Sequence, residues 1–242
     1  MTIPVTNPAS SVATAAVFAQ LAQDLHRISG VEQTAAAVLR ASSQVINCTH
    51  AGLVLKGRRD ALRAGPATGE IVAAVNQLQI EQRHGPAPDV LAGGHVVLVP
   101  DTRTEGRWPE WAGAAAELGL RSLLALPLAT NDGMLGVLEL FSTEPAAFGP
   151  CDVDTAQALC GHLAVALRNA RQEETLREAM ESHKLIGQAM GILMERYGID
   201  ADQAFAVLRR CSQDRNLVLR DLANQLIDTG RLPEGTRVPL HL

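Results

Sequence analysis

Arg209, Arg210, Arg215 and Arg220 stand close together near the end of the chain, and between Arg209 and Asp221 the only acids are Asp214 and Asp221. Guanidinium groups offer paired N–H donors that match the oxygens of a phosphate. Ser212 and Asn216 lie among them and add neutral hydrogen-bonding groups near two helix ends. That chemistry is the holding of an anion, as on a nucleic-acid backbone. The competing reading is a solvated helix face paired with nearby acids, with Ser212 and Asn216 as plain cap and turn formers. Composition alone favours this second reading.

Other reactive residue types form no constellation. Cys48, Cys151, Cys160 and Cys211 lack the close paired spacing of zinc or redox sites. They read as reduced thiols, some of them buried as small apolar residues. No G-x-S-x-G elbow, P-loop, H-E-x-x-H run or cysteine/histidine ligand spacing is present. Asp152 with Asp154 is more simply a helix start than a catalytic carboxylate pair. No enzyme and no metal site is expected.

The 242 residues allow one large domain or two modest ones, and a hydrophobic fraction of 47% belongs to ordinary globular chains. Aromatics make up only 3%, so Leu, Val and Ala must build the core. A net charge of −5 argues against a chain-wide basic surface and leaves room for a small basic face. No basic residue precedes Arg27, so the charged start of a signal peptide is missing. No apolar run reaches membrane-spanning length. A cytoplasmic protein without membrane contact is expected.

The elements that must position these residues follow from periodicity and punctuation. Residues 1–16 read as a disordered Ser/Thr/Pro-containing tail. Val17, Leu21, Leu25 and Ile28 recur at helical spacing until Gly30, and a second helix spans Gln33–Val45. AGLVLKG (51–57) and DALRAG (60–65) read as strands joined at Gly57–Asp60, and GHVVLVPD (94–101) as a third strand. Residues 122–130 and 133–143 form the clearest hairpin, with Asn131–Asp132–Gly133 as its turn. Gly69–His84 reads as helix or loop, and Trp108–Leu118 as a short helix starting near Pro109. Helices, then hairpins, then helices suit an antiparallel sheet with helices packed on one face, the α+β class.

From Cys151 onward the pattern is helical. Val153, Ala156, Cys160, Leu163, Leu167 and Ala170 alternate three and four residues apart, like a short coiled-coil seam. They fit a helix lying on its own sheet and ending near Arg171. They also fit one long helix, Val153–Tyr197, which would span roughly 65–70 Å and pair with a second copy. The second is the expectation taken forward: a homodimer through Val153–Ala170.

The chain then closes with a minimal three-helix bundle. Ile186, Ala189, Met190, Leu193, Met194 and Tyr197 form one apolar stripe, with Gly198 placed to cap it. Asp200 and Gln203 make a capping box for a helix carrying Ala204, Phe205, Val207, Leu208 and Cys211. A third stripe holds Leu219, Leu222, Ala223, Leu226 and Ile227, and ends at Gly230 and Pro233.

KLIGQAMGILMERYGIDADQAFAVLRRCSQDRNLVLRDLA resembles the ANTAR domain, a family of RNA-binding transcription antiterminators. The resemblance rests on I-x-x-A-x-G-I-L-M at Ile186–Met194, the Ala204–Phe205 to Leu208 block, and S-x-x-x-N-x-x-L-R-D-x-A from Ser212 to Ala223. It covers about the last quarter of the chain, taken as a domain over 171–231 with a tail at 232–242. It implies RNA contacts from Arg209, Arg210, Ser212, Arg215, Asn216 and Arg220, and a target of paired hairpins in an mRNA leader. Met190 stands where the family often has lysine, and Leu217 and Val218 where it is often basic. Fewer cations imply weaker phosphate attraction and a shallower salt dependence.

The preceding region, about Phe18–Arg171, resembles the GAF sensory domain, taken here over 17–170. The matching pieces are D-x-x-x-x-x-R-W-P at Asp101–Pro109, G-L-R-S-L-L-A-L-P-L at 119–128 and G-x-L-G-V-L-E-L-F-S at 133–142. The resemblance implies an unknown small-molecule effector, with Asp101, Arg107, Trp108 and Arg121 as candidate pocket liners. Trp108 as a core residue, and Asp101 with Arg107 as a structural ion pair, are equally open. His84 or His95 as a haem ligand fits poorly, because a lone histidine is usually a surface or hydrogen-bonded residue. No cysteine stands in a bilin-attachment motif. Two rivals to the antiterminator remain: a DNA-binding helix-turn-helix regulator, for which Leu217 and Val218 make a poor reading face, and a sensor acting only through protein contacts.

Overall fold

The structure is a computed structural model that describes residues 20, 23, 28, 30–57 and 61–233. The tail expected at 1–16, nearly all of the helix expected over Val17–Ile28, Arg58–Asp60 of the first expected turn, and residues 234–242 of the final tail lie outside the described residues. Two compact units divide the chain, Met1–Gln172 and Glu173–Leu242.

The first unit is built on a five-stranded sheet in the order β2-β1-β5-β4-β3. Its strands are β1 (His50–Lys56), β2 (Leu62–Ala67), β3 (Val97–Val99), β4 (Ser122–Thr130) and β5 (Gly133–Ser142), and every neighbouring pair is antiparallel. The β4–β5 hairpin forms where the Asn-Asp-Gly turn signal stands. Gly133 has φ +124°, a conformation that a side chain would oppose, and Leu124↔Leu140 and Leu126↔Leu138 set the register.

Helices cover both faces of this sheet, not one. The reason lies in the central strands, where β4 and β5 are buried on successive residues instead of alternating. On one face α1 (Val31–Val45) and the first part of α5 (Pro150–Tyr197) pack over Leu53, Leu126, Leu138 and Leu140. On the other, α2 (Glu70–Gln82), α3 (Pro86–Gly93) and α4 (Pro109–Glu117) cover Val54, Val137 and Phe141. Residues 69–84, ambiguous in the sequence, are helical as α2. Periodicity does not predict α3, which begins with Pro86 at its first position.

Helix α5 runs unbroken from Pro150 to Tyr197. Asp152 lies in its first turn and accepts the Gly149 N–H at 2.8 Å. The stripe expected to meet a second copy is instead spent on the chain's own core. Ala156, Leu163 and Leu167 are at most 1% exposed, and with Cys160 and Ala170 they join the cluster on the sheet. Their three-and-four spacing serves a sheet as well as a partner helix, and burial here takes the stripe from Ala156 to Ala170 out of reach of a second copy.

In the second unit, the end of α5, α6 (Ala201–Arg215) and α7 (Leu219–Thr229) share a core centred on Leu193, Leu208, Leu222 and Leu226. The capping box is present: Asp200 Oδ1 accepts from the Gln203 N–H at 2.8 Å, and Gln203 Oε1 from the Asp200 N–H at 3.1 Å. Gly198, at φ +62°, closes α5 through its N–H to the Met194 carbonyl. Among the described residues no helix is long and apolar enough to cross a membrane.

Candidate functional site

The expected liners of the first unit form a corner in which each is already engaged. Arg121 precedes β4, and its carbonyl accepts the Thr102 N–H at 2.8 Å. That backbone link brings its side chain to Asp101, where Nε and Nη2 donate to the two carboxylate oxygens at 3.1 and 2.6 Å. Asp101 also accepts the Arg103 N–H, which caps the 3₁₀ turn Thr102–Thr104. The Arg121 hydrogen bond, more than any other influence, holds the Asp101 carboxyl below the ordinary range.

The alternative pairing of Asp101 with Arg107 is therefore replaced. Arg107 donates to Glu105 at 2.6 Å and to the Leu98 carbonyl at 2.9 Å, and its guanidinium lies 4.3 Å from the centroid of the Trp108 ring. Trp108 is a core residue at 2% exposure. Its Nε1 donates to Asp89 at 3.1 Å, and its ring meets Trp111 edge-on with centroids 6.2 Å apart.

A second polar group sits in the middle of the same face. Glu139 on β5 is fully buried, between Gly52 of β1 and Ala125 of β4 in the register. Gln79 Nε2 donates to its two oxygens at 3.0 and 3.1 Å, while Gln79 Oε1 accepts the Ala87 N–H at 2.8 Å. Asn76 Nδ2 stands above Gly52, 2.9 Å from where a Cβ would lie, and has no hydrogen-bond partner among the described residues. Burial pushes the Glu139 carboxyl up to about 7, against the lowering effect of Gln79. The sequence carried a signal for this group: one acid in the apolar run Leu138-Glu139-Leu140.

Beside this layer a cavity of about 590 Å³ opens between the ends of β1 and β2 and helices α2 and α3. Lys56 and Arg83 bring the charge to its lining. Neither stood out in the sequence, because both sit at element ends where a cation is ordinary.

In the second unit Arg209, Arg210, Arg215, Asn216 and Arg220 are exposed. Helical spacing separates Arg209 from Arg210 by about 100° and Arg210 from Arg215 by about 140°, so α6 does not align them on one stripe. Ser212 Oγ donates to the Leu217 carbonyl at 2.6 Å. Asn216 ends α6 at φ +52°, and its N–H returns to the Ser212 and Gln213 carbonyls. Both residues thus shape the turn that carries the arginines from α6 to α7. Arg220 lies 3.6 Å from Asp221, a surface pairing that contributes little. Met190 packs against the bundle core, while Leu217 and Val218 are 41% and 63% exposed.

Comparison with known proteins assigns both units. The GAF domain model matches residues 29–168 and the ANTAR domain model residues 174–227. Over 62 residues the chain is 31% identical to the transcriptional regulatory protein PdtaR of Mycobacterium tuberculosis, covering 26% of this chain and 30% of that protein. The match thus spans less than a third of that relative's length. Among solved structures, the GAF domain of the Acinetobacter phosphoenolpyruvate-protein phosphotransferase aligns with TM-score 0.54 at 13% identity, over 67% of this chain and 97% of its own. The corresponding domain from Coxiella burnetii gives TM-score 0.54 at 16% identity, over 68% and 98%. At such identities these two show the fold alone.

Proposed function

Because the chain belongs to the GAF-domain family and carries an ANTAR domain after it, we propose that it is a signal-responsive regulator of transcription antitermination and not an enzyme. The ANTAR match over residues 174–227 carries this reading, and the partial similarity to a transcriptional regulatory protein agrees with it. The first unit senses a small molecule in the cytoplasm. The second binds paired hairpins in a nascent transcript, with Arg209, Arg210, Arg215 and Arg220 donating to phosphates while Ser212 and Asn216 set the turn between them. An effector controls this only by binding the RNA-competent arrangement more tightly than the other.

Titration with labelled two-hairpin RNA, the matching duplex DNA and a scrambled RNA, at several salt concentrations, tests the reading. Saturable binding of the two-hairpin RNA alone is expected. Arg220→Ala should weaken it about tenfold, the order of one charge-assisted hydrogen bond, and lower the salt slope by about one. Equal affinity for all three nucleic acids, or for none, sinks it. The exposed pair Leu217 and Val218 favours one rival, a sensor that acts through protein contacts, and binding of none is that rival's outcome.

Two hairpins call for two copies. With the stripe from Ala156 to Ala170 buried on the sheet, the dimer in this reading forms through the next turns of α5, where Leu176 and Met180 are 64% and 73% exposed. An apolar pair on a solvated helix gains from a partner. Light scattering at micromolar concentration should return twice the chain mass, falling to a monomer in Leu176→Glu/Met180→Glu. A wild-type monomer, or a variant that stays dimeric, removes this interface.

A further inference from the structure

The geometry points to the cavity beside Lys56 and Arg83 as the effector site of the first unit, and to its occupant as a small amphiphile with an anionic head, a carboxylate or phosphate on an apolar body. This rests on the sensory reading above and names the ligand class for it. The cavity's volume of about 590 Å³ falls within the usual span of small-molecule sites. Leu62, Ile80, Pro88 and Leu91 supply apolar walls. Lys56 and Arg83 supply the charge, and among the described lining residues there is no carboxylate. An anion is favoured there and a cation repelled.

The position of Arg83 is unusual for its residue type. It ends α2 at φ +51°, in the left-handed conformation where glycine or asparagine usually stands. Its N–H closes the helix on the Gln79 and Ile80 carbonyls, so a glycine would serve the backbone with less strain. The arginine that stands here instead lines the cavity. The walls are also pre-formed. Gln79 binds both the Ala87 N–H at the start of α3 and Glu139 on β5, which fixes α2, α3 and the sheet against one another.

Lys56 further connects the cavity to the helix that leaves this unit. Its carbonyl accepts Arg171 Nη2 at 2.7 Å. Arg171 belongs to the last turn of α5 before the first unit ends at Gln172. A ligand that draws in the Lys56 ammonium therefore acts on the strand end that holds this turn.

Calorimetric titration of the full chain, without RNA, with octanoate, octyl phosphate, octylamine and inorganic phosphate tests the site. Octanoate and octyl phosphate are expected to bind one per chain. Octylamine and inorganic phosphate should bind at least about tenfold more weakly, since each lacks one half of the recognition. Lys56→Gln and Arg83→Gln, side-chain changes that leave the Lys56 carbonyl in place, should each weaken octyl phosphate about tenfold. Absence of amphiphile binding, equal binding of octylamine, binding of inorganic phosphate as tight as that of octyl phosphate, or unchanged affinity in both variants overturns the assignment. Repeating the RNA titration with octyl phosphate present keeps the two readings apart. Binding in the cavity with unchanged RNA affinity would refute the sensory role and leave the anion site standing.

Discussion

Replacing Glu139 by glutamine is expected to stabilise the first unit by about 3 kcal/mol at pH 8 and to change its stability little at pH 4. The sign follows from the direction of the shift. In the unfolded chain the carboxyl ionises near its ordinary value of 4.5, whereas in the folded protein burial holds it to about 7. Below pH 4.5 both states are protonated and the buried acid costs little. Between 4.5 and 7 the unfolded state sheds its proton first, so stability falls by about 1.4 kcal/mol per pH unit. Above 7 both states are ionised and the loss levels off. Glutamine keeps the size and an acceptor for Gln79 but cannot ionise. For a unit of this size the gain corresponds to roughly 5–10 °C in Tm. Asp101 and Glu105, held below the ordinary carboxylate range by Arg121 and Arg107, act oppositely: their stabilisation is lost as pH falls. The Glu139 effect is therefore the difference between wild-type and variant melts over pH 4–9. A pH-independent difference would show that Glu139 titrates in the folded protein where it does in the unfolded chain, and that burial does not raise it.

This buried acid also marks how far the sequence could be read. The β4–β5 hairpin was legible because the Asn-Asp-Gly turn and its flanking apolar runs act locally. Helix α2 was ambiguous because Asn76 and Gln79 face inward, and two buried amides blur the apolar period that identifies a helix. Helix α3 stayed hidden because Pro86, Pro88, Gly93 and Gly94 all read as loop formers. The stripe from Ala156 to Ala170 was seen, but its spacing is the same whether it meets a sheet or a second helix. Its small residues, Ala156, Cys160 and Ala170, let a helix close onto a sheet, and they were the available clue.

The candidate sites divide in the same way. In the first unit the residue types were legible and the partners were not. Asp101 meets Arg121 and not Arg107 because a backbone bond between Thr102 and Arg121 brings two distant segments together. One sequence holds no trace of such a contact. In the second unit the turn roles of Ser212 and Asn216 were foreseeable, since short polar side chains at a helix end satisfy the backbone wherever they occur. Lys56 and Arg83 gain meaning only from the cavity between them.

Leu222→Ala is expected to unfold the second unit, abolishing its RNA binding while the melting of the first unit persists. The bundle core is rich in small residues: Ala189, Ala204, Ala223 and Cys211 are buried in it. Leu193, Leu208, Leu222 and Leu226 therefore supply most of its large apolar side chains, and each is fully buried. Removing such a side chain costs about 2–5 kcal/mol through lost burial and the cavity left behind. A bundle of this size holds only about 3–5 kcal/mol in total. Neither the Asp200–Gln203 capping box, worth about 1 kcal/mol, nor the glycine caps can offset that loss. Circular dichroism should therefore show reduced helix content, and calorimetry one transition fewer. Arg220→Ala serves as the contrast: weaker RNA binding with helix content and melting intact, because an exposed side chain beside Asp221 contributes little to folding. Leu222→Ala with wild-type melting would mean that this core does not hold the bundle together. If that variant unfolded the bundle and still bound the two-hairpin RNA at full affinity, the nucleic-acid site would have to lie outside the second unit.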